Sequence, residues 1–259
     1  MQRQLYTAHL DKKLLLSESA QCYQLEFSAP ELRAFDFIPG QFISFIADDP
    51  KGKEQTRAYS IASAPAGNHF DLCLNRVEGG FFSNKLCDME PDGELQFHGP
   101  NGMFTLRKPL TDSIFIATGT GIAPMRSFIQ HLFPESGEDR SGGSHIWLVY
   151  GTRHETGLYY RKYFEEIAAE RPNFHYLCTL SRPHEGWEGL RGYVQDHVAN
   201  ILKSRSDGHH ISPVPTVAEP AGFDIHAYIC GLNAMVSANR KSLIEQGWQK
   251  KQIIFERYD

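Results

Sequence analysis

The pattern of apolar and polar residues changes near residue 108. Before that point, short apolar-rich runs are separated by turn signals. The predicted strands include residues 22–27, 41–46, 70–75 and 94–97, and the turns include Pro39-Gly40, Gly67-Asn68 and Pro91-Asp92-Gly93. Many short strands at this spacing are typical of an antiparallel barrel or sandwich. We therefore predict an all-β domain over residues 1–108.

After Pro109 the predicted elements are longer, and apolar strands alternate with helical segments. The predicted strands are 114–117, 146–150, 175–180 and 225–230, and the predicted helices lie near 124–133, 158–170, 194–203 and 233–246. Such alternation is typical of a parallel sheet covered by helices. We therefore predict an α/β domain over residues 109–259, with a long Ser/Pro/Gly-rich loop over residues 204–223.

A glycine turn follows the first apolar strand of this second half. Thr118-Gly119-Thr120-Gly121 stands between that strand and a predicted helix, with Pro124 at its first position. This order indicates a phosphate site, because glycines allow close approach to the backbone and the free N–H groups of a helix start face an anion. By itself, the same turn is also consistent with an ordinary tight connection.

Other strand ends in the second half carry small, polar or basic residues. They are Gly151-Thr152-Arg153, Ser181-Arg182 and Cys230-Gly231. Ligands of parallel sheets bind beyond the carboxyl ends of the strands, so these residues predict a nucleotide crevice.

The first half contains two further candidates. Arg57, Tyr59 and Ser60 place a cation, an aromatic ring and a hydroxyl in one short strand, which suits a phosphate and a flat heterocycle. The alternative is an edge strand with an exposed arginine and a core tyrosine. Glycines before a helical turn form the second candidate, in the run Gly79-Gly80-Phe81-Phe82-Ser83. It indicates either an anion site or an ordinary capped helix.

Composition excludes several function classes. The chain has 259 residues, 41% hydrophobic and 22% charged, and a net charge of −5, which gives no sign of general nucleic-acid affinity. Its charged N-terminal segment resembles neither a signal peptide nor a membrane span, so we expect a cytoplasmic protein. The five cysteines form no Cys-x-x-Cys pair, and the pair His209-His210 lies in a predicted loop, so we expect neither an iron–sulfur cluster nor another metal site.

The chain resembles the plant-type ferredoxin–NADP(H) reductase family over nearly its whole length. The matching segments are RAYSIAS (57–63), LCLNR (72–76), FSNKLCDMEPDGELQFHGPNG (82–102), ATGTGIAPMRSF (117–128), YGTR (150–153), SR (181–182), RGYVQ (191–195) and AYICGLNAMV (227–236). The resemblance implies a flavin-binding antiparallel β-barrel followed by a Rossmann-like nucleotide domain.

In the first half, the resemblance assigns Arg57 to the flavin phosphates, Tyr59 to the isoalloxazine ring and Ser60 to the vicinity of its N5. It assigns the pyrophosphate to the Gly80–Ser83 turn, which contains Phe81 and Phe82. The insertion that carries an adenine-stacking tyrosine is absent, since Arg76 is followed almost directly by Glu78-Gly79-Gly80. FAD is the expected cofactor, with FMN as the alternative.

In the second half, the resemblance assigns the nucleotide pyrophosphate and ribose to the Thr118–Gly121 turn, formed by Thr118, Gly119, Thr120 and Gly121. It assigns the adenosine 2′-phosphate to four residues at strand ends and in the following loop: Ser181, Arg182, Arg191 and Tyr193. NADPH is the expected substrate. NADH remains the alternative, because NADH-using relatives can carry a similar pattern.

The resemblance further implies that Cys230 and Gly231 lie beside the nicotinamide, that Glu256 lies near the reaction centre and that Tyr258 covers the flavin. Asp259 departs from the family pattern, in which the aromatic residue is terminal. We expect Cys230 to act through packing, because a thiol among apolar residues stays protonated.

The implied reaction is hydride transfer between NADPH and FAD, with single electrons exchanged with a separate ferredoxin or flavodoxin. Such partners are acidic, so the basic docking candidates are Lys51, Lys53, Arg107 and Lys108. The alternatives are an NADH-dependent reductase of an oxygenase, a free flavin or quinone reductase, and a non-catalytic nucleotide-binding subunit of a larger complex.

Overall fold

The computed structural model describes residues 4–206 and 224–258, which fall into two compact units. The first unit takes its residues from Met1–Leu106 and Ile122–Asp139, and the second from Arg107–Gly121 and Arg140–Asp259. A division into compact units does not show which residues bind which ligand. The boundary at residue 108 between a flavin-binding and a nucleotide-binding domain therefore stays a prediction. The pair His209-His210 and most of the predicted 204–223 loop lie outside the described residues.

The first unit contains a six-stranded antiparallel sheet in the order β4-β3-β6-β1-β2-β5, and helix α1 lies between β5 and β6 along the chain. The elements are β1 (Tyr6–Ser17), β2 (Cys22–Ser28), β3 (Phe42–Asp48), β4 (Glu54–Ser60), β5 (His69–Asn75), α1 (Phe81–Asp88) and β6 (Glu94–Asn101). The strands expected at 22–27, 41–46, 70–75 and 94–97 are all present and start within one residue of the expected positions, and β6 runs four residues further than expected. Strand β1 is not among the strands named from the sequence, because its charged positions interrupt the alternation.

This sheet closes on itself, because its two outermost strands are joined just beyond the end of β4. Ile61 forms an antiparallel bridge with Leu72, and the Ala62 N–H donates to the carbonyl oxygen of Asp71 at 2.7 Å. The Asp71 N–H in turn donates to the Ser63 hydroxyl at 2.9 Å. Closure satisfies edge groups that a sandwich would leave exposed, so of the two architectures open at the sequence level the barrel is the one formed.

Aromatic rings fill the barrel. Phe27, Phe45, Phe70 and Phe97 are fully buried, and ring centroids lie 5.5 Å apart for Phe27–Phe45 and 5.3 Å apart for Phe70–Phe97. Each comes from a different strand, where alternation points one face inward. Spacings of this size are favourable for tilted aromatic pairs, so the interior is a packed core.

Helix α2 (Ile122–Leu132) belongs to the first unit, although it follows the glycine turn of the second. Its Arg126 Nη1 lies 2.8 Å from both the Asp71 carboxylate and the Ala62 carbonyl oxygen, and the Ser127 hydroxyl donates to the Ser63 carbonyl at 2.6 Å. The helix is therefore fastened to the segment that closes the barrel. It begins two residues before Pro124, which corrects the expected start; Pro124 still lies in the first turn, where N–H groups have no helical partner.

The second unit is a six-stranded parallel sheet in the order β10-β9-β8-β7-β11-β12. Its elements are β7 (Asp112–Thr118), β8 (Ile146–Thr152), α3 (Arg161–Glu170), β9 (Phe174–Leu180), β10 (Leu190–Arg191), α4 (Gln195–Ser206), β11 (Ile225–Leu232), α5 (Asn233–Glu245) and β12 (Ile253–Tyr258). The central strands are buried on both faces, as their unbroken apolar runs require. This is the expected Rossmann-like arrangement.

Strand order reverses at β7, which has β8 on one side and β11 on the other. Such a switch point opens a crevice at the carboxyl ends of the strands. The glycine turn follows β7 directly, so the topology brings the predicted phosphate site to this point. In the described residues, we find no helix of the length and apolar character needed to cross a membrane.

Candidate cofactor-binding sites

The glycine turn after β7 is a short 3-10 helix, Gly119–Gly121, that packs against the end of β11. Gly119 has φ +54°, a left-handed conformation that glycine adopts without strain. A Cβ at Gly121 would lie 2.3 Å from the carbonyl oxygen of Cys230, so only glycine permits this approach of two backbones. The Tyr150 hydroxyl lies 3.0 Å from the carbonyl oxygen of Gly119, which fixes the turn from β8.

Gly231 fits the same junction from the other side. A Cβ there would lie 2.5 Å from both the Thr118 Oγ1 and the Met235 Cε. Thr118, Gly119 and Thr120 are half-buried, whereas Gly121 is buried. The second unit thus brings Thr118, Gly121, Cys230 and Gly231 together at the switch point, with the less buried part of the turn available to a ligand.

Cys230, Glu256 and Tyr258 meet at the carboxyl ends of β11 and β12. Cys230 pairs with Ala117 on one side and with Glu256 on the other, and Leu232 pairs with Tyr258. Burial raises the pKa of the Cys230 thiol well above its usual value, the nearby Glu256 carboxylate raises it further, and a hydrogen bond with Tyr258 opposes the shift. The fully buried thiol is therefore neutral, as expected for a packing role.

The ends of β9 and β10 bring a second group together. Arg191 is the register partner of Leu180, and therefore lies beside the start of the Ser181-Arg182 segment. The Ser181 and Arg182 N–H groups donate to the carbonyls of Thr152 and Arg153, at 3.0 and 2.9 Å, which continues the contact with the end of β8. Arg182 and Arg191 are exposed. The two cations therefore stand at the sheet edge where an anion could reach them.

Tyr193 completes this group. Its side chain is 64% exposed, and its N–H donates to the Asp196 carboxylate at 2.8 Å. An exposed ring held at the backbone can cover a flat heterocycle without first breaking core contacts. Asp196 was not identified from the sequence; its spacing from Tyr193 is that of an ordinary helix cap.

In the barrel, Arg57, Tyr59 and Ser60 lie on β4. Arg57 is exposed, Tyr59 is half-buried and packs on Phe45 with ring centroids 6.1 Å apart, and Ser60 is buried opposite Phe42. Burial raises the pKa of the Tyr59 hydroxyl, so the phenol is neutral. One part of the Tyr59 ring belongs to the core and the rest is accessible. The position is therefore compatible both with a core tyrosine and with a ring that covers a flat heterocycle.

The start of α1 forms a compact turn. Gly80 is the residue before the helix, and a Cβ there would lie 2.5 Å from the Ser83 Oγ. The Ser83 hydroxyl accepts from the Val77 N–H at 3.2 Å, and the Asn84 amide donates to the Gly80 carbonyl at 2.6 Å. Ser83 therefore takes part in the turn itself, and the first-turn N–H groups are the donors suited to an anion.

Two aromatic residues open α1 and join it to the barrel. The rings of Phe81 and Phe82 have centroids 4.9 Å apart, and both pack against the barrel core. The Cys87 thiol of α1 lies close enough to Tyr59 to influence its pKa, after burial and Arg57. The first unit thus brings a guanidinium, an aromatic ring and a helix start into one neighbourhood, a donor set that fits a flavin diphosphate.

Sequence reasoning missed a group around Trp187, between β9 and β10. It contains Glu155, Arg161, His184 and Trp187, which are linked by ion pairs and ring contacts. The signal that could have identified it is the tryptophan between two glycines, Gly186 and Gly189, because such glycines allow a ring to lie on the backbone.

Two further expectations from the sequence concern the absence of a metal site and the basic residues that would dock an acidic partner. Within residues 4–206 and 224–258, no cluster of three histidine, cysteine or acidic side chains is suited to a metal. The basic docking candidates Lys51, Lys53, Arg107 and Lys108 are exposed, in two different units. Their role in docking stays a prediction.

Comparison with known proteins identifies both halves of the chain. Residues 7–106 match the family described as "Oxidoreductase FAD-binding domain", and residues 115–241 match "Oxidoreductase NAD-binding domain". These matches confirm the predicted pairing of an FAD-binding domain with a domain for a nicotinamide dinucleotide.

Individual relatives extend the comparison. The chain is 39% identical over 241 residues to "Ferredoxin--NADP reductase B" of Sorangium cellulosum (strain So ce56), with 91% of each chain covered. It is 31% identical to "Phenol hydroxylase P5 protein" of Acinetobacter pittii (strain PHEA-2), covering 87% of this chain and 59% of that protein. Among solved structures, a ferredoxin NADP+ reductase from Neisseria gonorrhoeae with bound FAD and NADP has the same fold, with a TM-score of 0.77, 19% identity and 99% of each chain covered.

Proposed function

Because this chain belongs to the ferredoxin reductase-like family of NAD(P)H-dependent flavoprotein oxidoreductases, we propose that its nicotinamide substrate is NADPH and that its electron partner is a separate ferredoxin or flavodoxin. When bound, the flavin exchanges two electrons with the nicotinamide and single electrons with a one-electron carrier. The protein's own residues bind, orient and shield the reacting groups.

The observation that carries the nicotinamide site of this proposal is the junction of Thr118–Gly121 with Cys230–Gly231 at the switch point, while the group at β9 and β10 carries the choice of NADPH. Gly121 approaches the Cys230 carbonyl so closely that no side chain fits, and Cys230 itself is fully buried and neutral. The junction is closely packed, and precise positioning is the contribution a protein makes to a cofactor reaction. Cys230 shapes the floor for the nicotinamide, while Glu256 supplies a carboxylate next to it.

For FAD, Arg57 would bind a phosphate with its exposed guanidinium, and the first-turn amides of α1 from Phe81 to Ser83 would bind the pyrophosphate. Tyr59 would cover the ring system, and Ser60 would approach the reactive edge. The donor types support this assignment, because charge-assisted hydrogen bonds and helix-start amides are suited to a diphosphate.

NADPH is favoured over NADH by the group at β9 and β10. Arg182 and Arg191 supply two cations, Ser181 a hydroxyl and Tyr193 an exposed ring. A 2′-phosphate is a dianion, for which two guanidinium groups are well suited. The Sorangium relative, which aligns over 91% of each chain, is named a ferredoxin–NADP reductase, and this name supports the same nucleotide.

A second candidate function is the reductase of an oxygenase, supported by the likeness to the phenol hydroxylase P5 protein. This chain covers 59% of that protein, so an oxygenase is less well supported as the electron acceptor than a separate ferredoxin or flavodoxin. The two functions differ in the nucleotide and in the acceptor they favour.

The test uses the purified full-length protein with FAD. We expect kcat/KM to be higher for NADPH than for NADH, and Arg191→Ala to lower the value for NADPH about tenfold or more, since a hydrogen bond to a charged group contributes about 1.5–3 kcal/mol. We also expect reduction of a plant-type ferredoxin to be faster than reduction of free FMN. Equal rates with NADH, or no loss in Arg191→Ala, would contradict the proposed nucleotide.

A further inference from the structure

The segment between β9 and β10 is folded around the indole of Trp187, which is only 7% exposed. Its Nε1 donates to the carbonyl oxygen of Leu190 at 2.8 Å, and its backbone N–H donates to the carbonyl of His184 at 3.1 Å. Through its ring and its backbone, Trp187 therefore bonds to both halves of the segment that connects Arg182 with Arg191.

Gly189 is the residue on which the indole lies. A Cβ at Gly189 would come within 2.4 Å of the Trp187 Cζ2 and 2.7 Å of its Cε2, so any side chain there must displace the ring. Gly186 differs, because its Cβ would lie 3.5 Å from the nearest atoms of His184, an ordinary contact distance. The two glycines of one short segment thus form a matched pair for substitution.

Arg191 is connected to this ring through the backbone. Its Nη2 donates to the carbonyl oxygen of Trp187 at 2.6 Å. A guanidinium has five N–H donors in a fixed plane, so one bond to a carbonyl sets the direction in which the others point. Arg191 is also the register partner of Leu180, which directly precedes Ser181. The orientation of the guanidinium depends on where the Trp187 carbonyl lies.

Charged residues on the outside of the segment add to this arrangement. The Arg161 guanidinium lies over the indole at 5.4 Å and pairs with the Glu155 carboxylate at 2.6 Å, and Glu155 also contacts His184 at 2.9 Å. These side chains are 37–57% exposed, and exposed ion pairs contribute little individually. The buried indole is therefore the element that holds the segment.

We propose that Trp187 is a positioning residue for Arg191, and that it sets the preference of this protein for a nicotinamide dinucleotide carrying a 2′-phosphate. The inference rests on the proposed function, in which Arg191 binds that phosphate. In this proposal Trp187 acts through Arg191 and not on a reacting group. Its role is to hold the carbonyl that orients the Arg191 guanidinium.

The experiment compares Trp187→Ala, Trp187→Phe and Gly189→Ala with the control Gly186→Ala. Two quantities are measured: the ratio of kcat/KM for NADPH to that for NADH, and the ratio of affinities for 2′-phospho-AMP and AMP by calorimetry. We expect Gly189→Ala and Trp187→Ala to lower both ratios about tenfold, with values for NADH and AMP within twofold of the parent. Trp187→Phe keeps a ring but lacks the Nε1 donor, so we expect an intermediate ratio; Gly186→Ala should leave both ratios unchanged.

The double variant Trp187→Phe/Arg191→Ala separates the inference from its premise. If Trp187 acts through Arg191, the double variant has the same ratios as Arg191→Ala. Unchanged ratios in Arg191→Ala would overturn the proposed phosphate role. A normal loss in Arg191→Ala, combined with unchanged ratios in folded Trp187→Phe and Gly189→Ala, would overturn the positioning role alone. An equal loss for NADH and NADPH would also overturn it, because that is the behaviour of a purely structural residue.

Discussion

Cys230 and Glu256 are register partners on the adjacent parallel strands β11 and β12, at the edge where the glycine turn also ends. The pairing places a carboxylate beside a fully buried thiol, and both burial and this carboxylate raise the thiol's pKa. A neutral thiol is a poor nucleophile. The pair is therefore suited to supply shape and local charge rather than covalent chemistry.

The first prediction concerns this pair. We expect Cys230→Ala and Glu256→Gln each to lower NADPH-dependent turnover about tenfold, equivalent to about 1.4 kcal/mol of barrier, because each change alters the positioning of the nicotinamide. Ferricyanide reduction measures turnover, and the flavin absorption spectrum checks that flavin content is unchanged. If both variants turn over at the rate of the parent protein, neither Cys230 nor Glu256 belongs to the nicotinamide site.

The second prediction concerns flavin binding. Arg57→Ala should weaken FAD binding by about tenfold or more, because it removes a charge-assisted contact to a phosphate. Arg33→Ala is the matched control, since Arg33 is also an exposed arginine of the first unit. Fluorescence titration of the apoprotein with FAD measures both affinities. If the two variants bind FAD equally well, Arg57 does not contact the phosphates.

The third prediction separates two glycines of one turn. Gly121→Ala should lower the free energy of unfolding by about 1–3 kcal/mol, because its Cβ meets the Cys230 backbone at 2.3 Å. Gly119→Ala meets no atom within 4 Å, and its cost of about 1 kcal/mol comes from the left-handed φ of +54°. Urea unfolding of both variants measures which one loses more free energy of unfolding. A larger loss for Gly119→Ala than for Gly121→Ala would contradict the packing argument.

The fourth prediction concerns the attachment of α2 to the barrel. Asp71 and Arg126 form an ion pair at 2.8 Å, with side chains 17% and 11% exposed. Asp71→Asn should lower the free energy of unfolding by about 3 kcal/mol, because it leaves the guanidinium largely buried without its counter-charge. Glu166→Gln, which breaks the exposed pair with Lys162 at 3.6 Å, should change it by about 0.5 kcal/mol or less. Similar losses in the two variants would refute this difference.

The fifth prediction is a pH dependence. Burial lowers the pKa of His226 below its usual 6.5, the Arg107 charge lowers it further, and Asp224 opposes the shift. The unfolded chain therefore binds the proton more readily, so His226 reduces stability as the pH falls below about 6.5 and has no such effect above it. His226→Gln should lose less stability than the parent between pH 7 and pH 5 in thermal unfolding. An NMR titration of the imidazole with a midpoint at or above 6.5 would contradict the assignment.

Local features of the sequence predicted much of the fold. The apolar runs of β7, β8 and β11, and the glycine turn at Thr118–Gly121, depend on neighbours along the chain, so their signals are readable without tertiary contacts. The alternation of strands and helices after Pro109 likewise indicated a parallel sheet. Strand β1 is not among the strands named from the sequence, because its charged positions mask the alternation that its buried apolar residues Ala8 and Leu10 follow.

Other features could not be predicted because they depend on contacts between distant segments. Arg126 and Ser127 fasten helix α2 to the segment that closes the barrel, and these contacts join residues far apart in the sequence. The Ser83 hydroxyl accepts a hydrogen bond from the Val77 N–H within its own turn, and its assignment to an anion stays a prediction. Such outcomes are decided by which hydrogen-bond partners the folded chain brings within reach.

The sequence by itself determined the two domain types, the glycine turn and the chemical character of each strand end, since composition and periodicity act over a few residues at a time. Only the tertiary structure decided that the barrel closes at Ile61 and Leu72, that Glu256 stands beside Cys230, and that Arg191 is held by Trp187. These relationships join residues through strand register and backbone approach, and both emerge only when the whole sheet has formed.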